Sequence, residues 1–430
     1  KILSPTAILG YGFPKTSLER GISMNPDLIA VDAGSVDPGP YYLGAGKSFT
    51  NRAGVKRDIK HLLKHAVERD IPLIIGSCGG SGDEPHLQWT RDIVEEIAKE
   101  EGYHFPMALI RADVSRKRIL KGINKKSTSA LGGLPELTAA TVRNASAIVA
   151  QMGCEPIIKA VRGGARVILA GRAYDPAVFA ALPILNGFPQ GLAIHMGKIL
   201  ECAAIAATPC SGADCVLGIL KKNSFILRSM NPERKFTHDS VAAHSLYEKS
   251  DPYMLPGPGG VLDLTKVKFE EIGNGEVEVS GSVFVPSVEP AIKLEGVARV
   301  GFRTLSIAGC HDPIMIKNID SILDEVGKNI EKSIKEDGVD GRIFFHVYGK
   351  NGVMGKLEPK HKATHHELGI VIEAIGKNQY DADTICSLTR STLLHYGYRG
   401  RVSTAGNLAL PFSPSDFSGG AVYEFSIYHL

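Results

Sequence analysis

Three times in this chain a short apolar run ends abruptly in a loop of glycines and polar groups. Leu28–Val31 runs into Asp32-Ala33-Gly34-Ser35-Val36-Asp37-Pro38-Gly39-Pro40. Pro72–Ile75 runs into Gly76-Ser77-Cys78-Gly79-Gly80-Ser81-Gly82, and Arg166–Ala170 into Gly171-Arg172-Ala173-Tyr174-Asp175-Pro176. Apolar runs of this length between helical stretches are the pattern of buried parallel strands. In open parallel sheets, ligands bind beyond the carboxyl ends of the strands. The sequence therefore points to one candidate site, assembled from three loops far apart in the chain.

Residues 1–215 alternate strand and helix signals. Strands are expected near Thr6–Leu9, Leu28–Val31, Leu73–Ile75, Met107–Ile110, Ile148–Ala150 and Val167–Ala170. Helices are expected over Lys56–Glu68, Leu87–Glu100, Thr138–Asn144 and Glu155–Arg162. This is α/β grammar, with a mostly parallel sheet and flanking helices. Ile194–Ala207 is almost entirely small or apolar, the pattern of a helix buried on every side at a domain or subunit interface. With the chain's size, it leads us to expect a homo-oligomer. Beyond 216 the pattern changes. Lys268–Ile272, Glu276–Ser282 and Ala291–Val300 alternate polar and apolar residues, with Gly273-Asn274-Gly275 as a turn, which reads as antiparallel sheet. Amphipathic helix follows over Ile314–Lys335, then strands over Arg342–Tyr348 and Leu368–Ile375 and a helix over Ala382–His395. The expected organisation is an α/β domain over 1–215 that carries the strand-end crevice, a mixed β/α segment over 216–335 packed on it, and a smaller α+β domain over 336–430.

Composition excludes several function classes. The net charge of +3 over 430 residues is small, and no basic stripe interleaves with aromatics, so nucleic acid is not the expected partner. One segment is locally basic, through Arg116, Lys117, Arg118, Lys121, Lys125 and Lys126. It reads as a solvated helix face, with an anionic ligand tail or cofactor phosphate as the functional alternative. No run reaches the roughly 18 apolar residues of a membrane span, and Lys1–Pro5 carries no signal-peptide core. Seven cysteines are scattered, with none in C-x-x-C spacing, which suits reduced thiols in a cytoplasm.

Asp32 and Asp37 project from a loop fixed by glycine and proline; such a pair suits cation binding or acid–base work. Turn chemistry explains Asp37 well and Asp32, directly on a strand end, less well. In Gly76–Gly82 the glycines Gly79 and Gly80, with Ser77, let backbone approach an anion, helped by a helix starting near Pro85. The spacing matches neither a Walker loop nor a dinucleotide fingerprint. Cys78 stands where a nucleophile can stand, against the commoner role of a buried structural thiol. Arg172 is a candidate for bidentate carboxylate binding, against an ion pair with Asp175 across the turn. Arg111, with Asp113, and Gln151 occupy similar strand-end places. His195 returns to the helix face of Cys202, near Glu201, so a metal site competes with a packed core helix. His244 and Tyr247 share a helix face, and both can move protons. Pro256–Gly260 is a rigid backbone-exposing loop, Gly309–Pro313 puts Cys310, His311 and Asp312 together, and His361, His365 and His366 read as a solvated turn.

Several segments resemble the acyclic terpene utilisation protein A family. They are Ile148–Ile158, Val167–Pro183, His195–Cys202, Ser240–Glu248 with Asp251-Pro252, Gly260–Leu264, Leu294–Gly296 and Ala405–Asp416, in order over most of the chain. The resemblance implies a catabolic enzyme for branched acids or their coenzyme A thioesters. It also implies, for some members, a small partner protein resembling the family's C-terminal part. It carries over no catalytic residue.

The expected pocket offers carboxylates, arginines, an anion loop and a histidine, and it shows no NAD, flavin or PLP signature. That set suits adding or removing water beside a carboxylate or thioester. The expected function is a cytoplasmic hydro-lyase for a small anionic hydroxy or unsaturated acid, with a divalent metal left open. Asp32 or His195 is the expected base or metal ligand, and Arg172 with Gly79-Gly80 the expected anion holder. A hydrolase or acyl transferase using Cys78 is one alternative; a non-catalytic subunit that binds a small partner is the other.

Overall fold

A computed structural model describes residues 1–247, 251–360, 365–402 and 405–430. The chain forms two compact units, residues 1–298 with 425–430 and residues 299–424.

The first unit is built on a nine-stranded sheet. Its strands are β1 (Ile2–Ser4), β2 (Leu28–Asp32), β3 (Leu73–Gly76), β4 (Met107–Ile110), β6 (Val167–Ala170), β7 (Val216–Leu220), β8 (Ser224–Ser229), β11 (Lys268–Gly273) and β12 (Glu276–Ser280). The order is β11-β12-β8-β7-β1-β2-β3-β6-β4. From β1 through β2, β3 and β6 to β4 every pairing is parallel, and from β1 outward through β7, β8 and β12 every pairing is antiparallel. β2, β3 and β6 are neighbours, so the three loops of the sequence pattern leave adjacent strands at the same end of the sheet.

The helices of this unit are α1 (Lys15–Ser23), α2 (Pro40–Ala45), α3 (Arg52–Glu68), α4 (Glu84–Glu101), α5 (Arg116–Asn124), α6 (Ala139–Asn144), α7 (Cys154–Arg162), α8 (Ala177–Leu185), α9 (Gln190–Leu200) and α10 (His238–Leu246). Successive strand residues face opposite sides. Ile29, Val31, Leu73 and Ile75 join one core with Ile59, Leu62 and Leu63 of α3 and Ile93 and Val94 of α4. Gly76, next along from Ile75, abuts Val178 of α8 on the other face. The sheet is thus covered by helices on both sides, which is why its central strands read as unbroken apolar runs. Each fully buried Ile or Leu there contributes about 1.5–3 kcal/mol.

Three details differ from the sequence expectations. Thr6–Leu9 is a loop, and the first strand is Ile2–Ser4; β branching and apolarity extend past the hydrogen-bonded stretch. The Ile148–Ala150 run is a strand, β5 (Ala147–Ala150), but it stays out of the main sheet and pairs antiparallel with Leu294–Val297, the start of β14 (Leu294–Cys310). The expected boundary at 215/216 falls where the chain turns into β7, whose partner is β1, so the strands that follow extend the same sheet. A three-stranded sheet completes the unit, with β10 (Gly260–Asp263) between β9 (Met254–Gly257) and β13 (Val283–Pro286).

The second unit is a sheet with helices packed on it. Its strands run in the order β15 (Gly341–Tyr348), β16 (Leu368–Gly376), β14, β17 (Asp416–His429). α12 (Ile319–Glu336), after the short α11 (Pro313–Lys317), and α13 (Gln379–His395) pack Ile322, Val326, Ile385 and Leu393 on Ile370 and Ile372. Among the described residues no helix is long and apolar enough to cross a membrane.

Candidate functional site

The loops after β3 and β6 are zipped together by backbone hydrogen bonds. Ser77 N donates to Gly171 O at 3.2 Å, Cys78 N to Ala170 O at 3.0 Å, and Arg172 N to Gly82 O at 3.0 Å. A Cβ on Gly82 would stand 2.1 Å from Arg172 N. The glycines are there because loop packs on loop. Gly79, at φ +67°, lies against His86, and Gly80 lies against Gly34; both are buried. The anion-holding role expected of Gly79 and Gly80 has no opening to act through in this arrangement. Nor is the start of α4 a vacant positive end. Asp83 and Glu84 stand there, and Asp83 bonds the buried His86 ring.

Arg172 sits at the centre of a buried charge cluster. Its Nε donates to Glu295 Oε2 at 2.7 Å and its Nη1 to Asp175 Oδ1 at 2.9 Å, Ala173 O at 2.9 Å and Ser77 Oγ at 3.3 Å. Glu295 also takes Lys293 Nζ at 2.7 Å. Burial opposes ionisation of Glu295, but Arg172 and then Lys293 hold its carboxyl below the usual range. The fork that was expected to grip substrate is therefore filled by a protein carboxylate, and Arg172 fixes the geometry of the Asp175 turn. Asp32 lies behind this cluster. Burial first, then Asp175, push its carboxyl well above the ordinary carboxylate range, against the pull of Arg172. Its Oδ1 has no hydrogen-bond partner among the described residues.

In front of the cluster is a cavity of about 660 Å³ in the first unit. Asp37, Gln151, Arg172 and Asp175 line it. So do groups assigned no role there: Tyr174, Lys198 and Lys293, with Glu201, considered only for metal. Pro256–Pro258 and Gly260 form one wall, with Gly257 against the Tyr174 ring. Tyr174 keeps its phenolic proton, because burial and then Glu201 push its acidity far down. Lys198 is 2% exposed. Its Nζ stands 3.9 Å from Glu201 Oε1 and 4.9 Å from the Tyr247 ring. The signal that marks it is present in the sequence: it is the single lysine in α9, whose other residues apart from Gln190 and His195 are small or apolar.

The other candidates lie elsewhere. Cys78 is fully buried, its Sγ 3.5 Å from Ile75 O, and burial pushes its thiol far up. His195 bonds Ser282 Oγ at 2.7 Å and Ser245 Oγ at 2.9 Å, and burial pushes it down to about 3, so it is a neutral core group. His244 stacks on Tyr247 with ring centroids 4.9 Å apart; burial, then Lys198, push it down to about 4. Arg111 is on the surface, paired with Glu84 at 2.8 Å. α9 is apolar because every residue from Gly191 to Leu200 is buried within this unit, so its composition no longer argues for a subunit interface. Cys310, His311 and Asp312 line a separate cleft of about 840 Å³ in the second unit. Asp312 there accepts Met315 N at 2.7 Å and so caps α11. Glu248 and His361 lie outside the described residues, and His366 makes an edge contact with His311. Among the described residues no three His, Cys, Asp or Glu side chains are grouped to hold a metal.

The fold and cavity define an α/β protein with a polar pocket at the carboxyl ends of its parallel strands, the place where such sheets bind ligands. Residues 48–213 and 220–406 match the acyclic terpene utilisation family protein AtuA, and the chain belongs to that family. The family's name ties it to the use of acyclic terpenes, a catabolic setting. No curated protein and no solved structure matches the chain.

Proposed function

We propose that the chain is a hydro-lyase acting on a small hydroxy or unsaturated carboxylic acid or its coenzyme A thioester. The observation that carries this reading is the buried Lys198 ammonium, which shares one cavity with Tyr174, Asp175 and Glu201. A cation and a phenolic O–H in a water-poor pocket suit the oxygen on which charge builds when an α-proton leaves. Two carboxyl groups suit the proton traffic. In the dehydration direction one carboxylate takes the α-proton. Lys198 and Tyr174 hold the enolate oxygen, and the other carboxyl protonates the departing hydroxyl, which leaves as water. In hydration the same steps run in reverse. Arg172 acts only by positioning Asp175.

The test is to offer a panel of branched α,β-unsaturated acids and thioesters and follow loss of the conjugated absorbance. Wild-type protein is expected to hydrate at least one of them, with Lys198→Met at least about 100-fold slower. An inert wild type across the panel, or a fully active Lys198→Met, overturns the reading. Iodoacetamide separates it from thiol catalysis. The buried, protonated Cys78 is expected to stay unmodified while activity persists; inactivation that substrate prevents would favour the hydrolase.

A further inference from the structure

We propose that the exposed face of α5 and the turn after it bind the phosphate groups of the substrate's carrier, so that the acid is taken as a coenzyme A thioester. The proposal rests on the hydro-lyase reading for what the acyl end does in the cavity. Six basic residues fall between 116 and 126, and no acidic residue falls between Asp113 and Glu136. α5 buries Ile119, with Leu120 and Ile123, against Val142, Ile148, Leu294 and Ile427. That packing turns Lys117, Arg118 and Lys121 to solvent, and Lys125 and Lys126 extend the exposed basic face over the turn. Arg116 donates to Ala145 O. None of the other five makes an ion pair or side-chain hydrogen bond among the described residues. Like charges one helical turn apart, such as Lys117 and Lys121, repel; a polyanion laid across them removes that repulsion.

The position of this face supplies the second argument. The chain leaves α5 and joins the C-terminal strand, with Ser129 N to Leu430 O at 3.0 Å, Leu430 N to Ser129 O at 2.9 Å and Leu131 N to Tyr428 O at 3.2 Å. Leu131, Gly132, Tyr428 and Leu430 all line the cavity. Leu131 is five positions beyond Lys126, a reach of at most about 18 Å. Lys293, inside the cavity, lies 4.9 Å over the Tyr428 ring. A phosphate-rich head on α5 and an acyl group beside Lys198 therefore share one rim. A nucleic acid would want aromatic rings to stack on, and the sequence holds none between Phe105 and Tyr174.

The test is calorimetric titration of free coenzyme A and of 3′-dephospho-coenzyme A. The targets are wild-type protein, the surface variant Lys117→Glu/Arg118→Glu/Lys121→Glu and Lys198→Met. Coenzyme A is expected to bind wild type, more weakly without its 3′-phosphate, and at least about tenfold more weakly to the surface variant, an effect that shrinks as salt rises. A free acid, 3-methylbut-2-enoic acid, is expected to bind wild type and the surface variant alike and to lose affinity in Lys198→Met. Coenzyme A that fails to bind, or binds the surface variant as well as wild type, overturns the proposal. So does a single-stranded oligonucleotide that binds more tightly than coenzyme A through the same residues. Acid binding that ignores Lys198→Met, with coenzyme A still lost in the surface variant, overturns the hydro-lyase assignment and leaves the phosphate face standing.

Discussion

Glu295→Gln tests the buried cluster that shapes the cavity. Glu295 and Arg172 side chains are 1% and 3% exposed and meet at 2.7 Å and 3.4 Å. Removing one partner of a buried pair strands the other charge and costs about 3–5 kcal/mol. Asp175 still faces Arg172, which places the expected loss near the lower figure. At an m-value of about 3 kcal/mol per M, the urea midpoint should fall by about 1 M. The protein supplies its own probe: Trp89, its single tryptophan, packs on the core of the first unit. Its fluorescence should report unfolding of that unit. Replacing both partners, as Arg172→Met/Glu295→Leu, should cost less than the single change, because no fully buried charge is stranded: the Asp175 and Lys293 left behind are both part-exposed. There is a pH signature as well. The folded Glu295 carboxyl lies below its unfolded range. Its stabilisation is thus present above about pH 4.3 and is lost as pH falls through the folded value. The Gln variant should lack that part of the acid slope. A cost under about 1 kcal/mol, or a double variant worse than the single, would refute the reasoning.

Asp32→Asn should leave the protein at least as stable as wild type at neutral pH. The folded carboxyl is raised, so wild-type stability declines as pH climbs from about 3.9 toward the folded value, and the amide has no proton to lose; urea midpoints across pH read this directly. His195 should produce the opposite dependence. Its folded form is neutral down to about 3, so stability is full above about pH 6.5 and falls between there and pH 3 as the unfolded chain binds the proton. His195→Gln should flatten that stretch in the same titration.

Local patterning made much of the fold legible. The unbroken apolar character of β2, β3 and β6 follows from helices on both faces, and it placed the three loops at one sheet end before any pairing was known. β5 shows the limit. Its residues are as apolar as those of a central strand, yet it pairs with β14, because hydrogen-bond partners are set by the whole sheet and not by the run itself. The glycines of Gly76–Gly82 show the same limit at the site. A glycine-rich loop signals close approach but not what approaches, and here it is the backbone of Arg172 at Gly82, His86 at Gly79 and Gly34 at Gly80.

The sequence by itself determined that this chain folds around parallel strands and carries Asp37, Arg172 and Asp175 in the loops at their ends, because a strand's exit is fixed by its own apolar length. Only the tertiary structure decided what those groups meet. Glu295 fills the Arg172 fork from more than 120 residues away, burial silences Cys78 and His195, and Lys198 joins the cavity because α9 is buried around it. Charge pairing and desolvation depend on distances through space, and sequence spacing does not encode them.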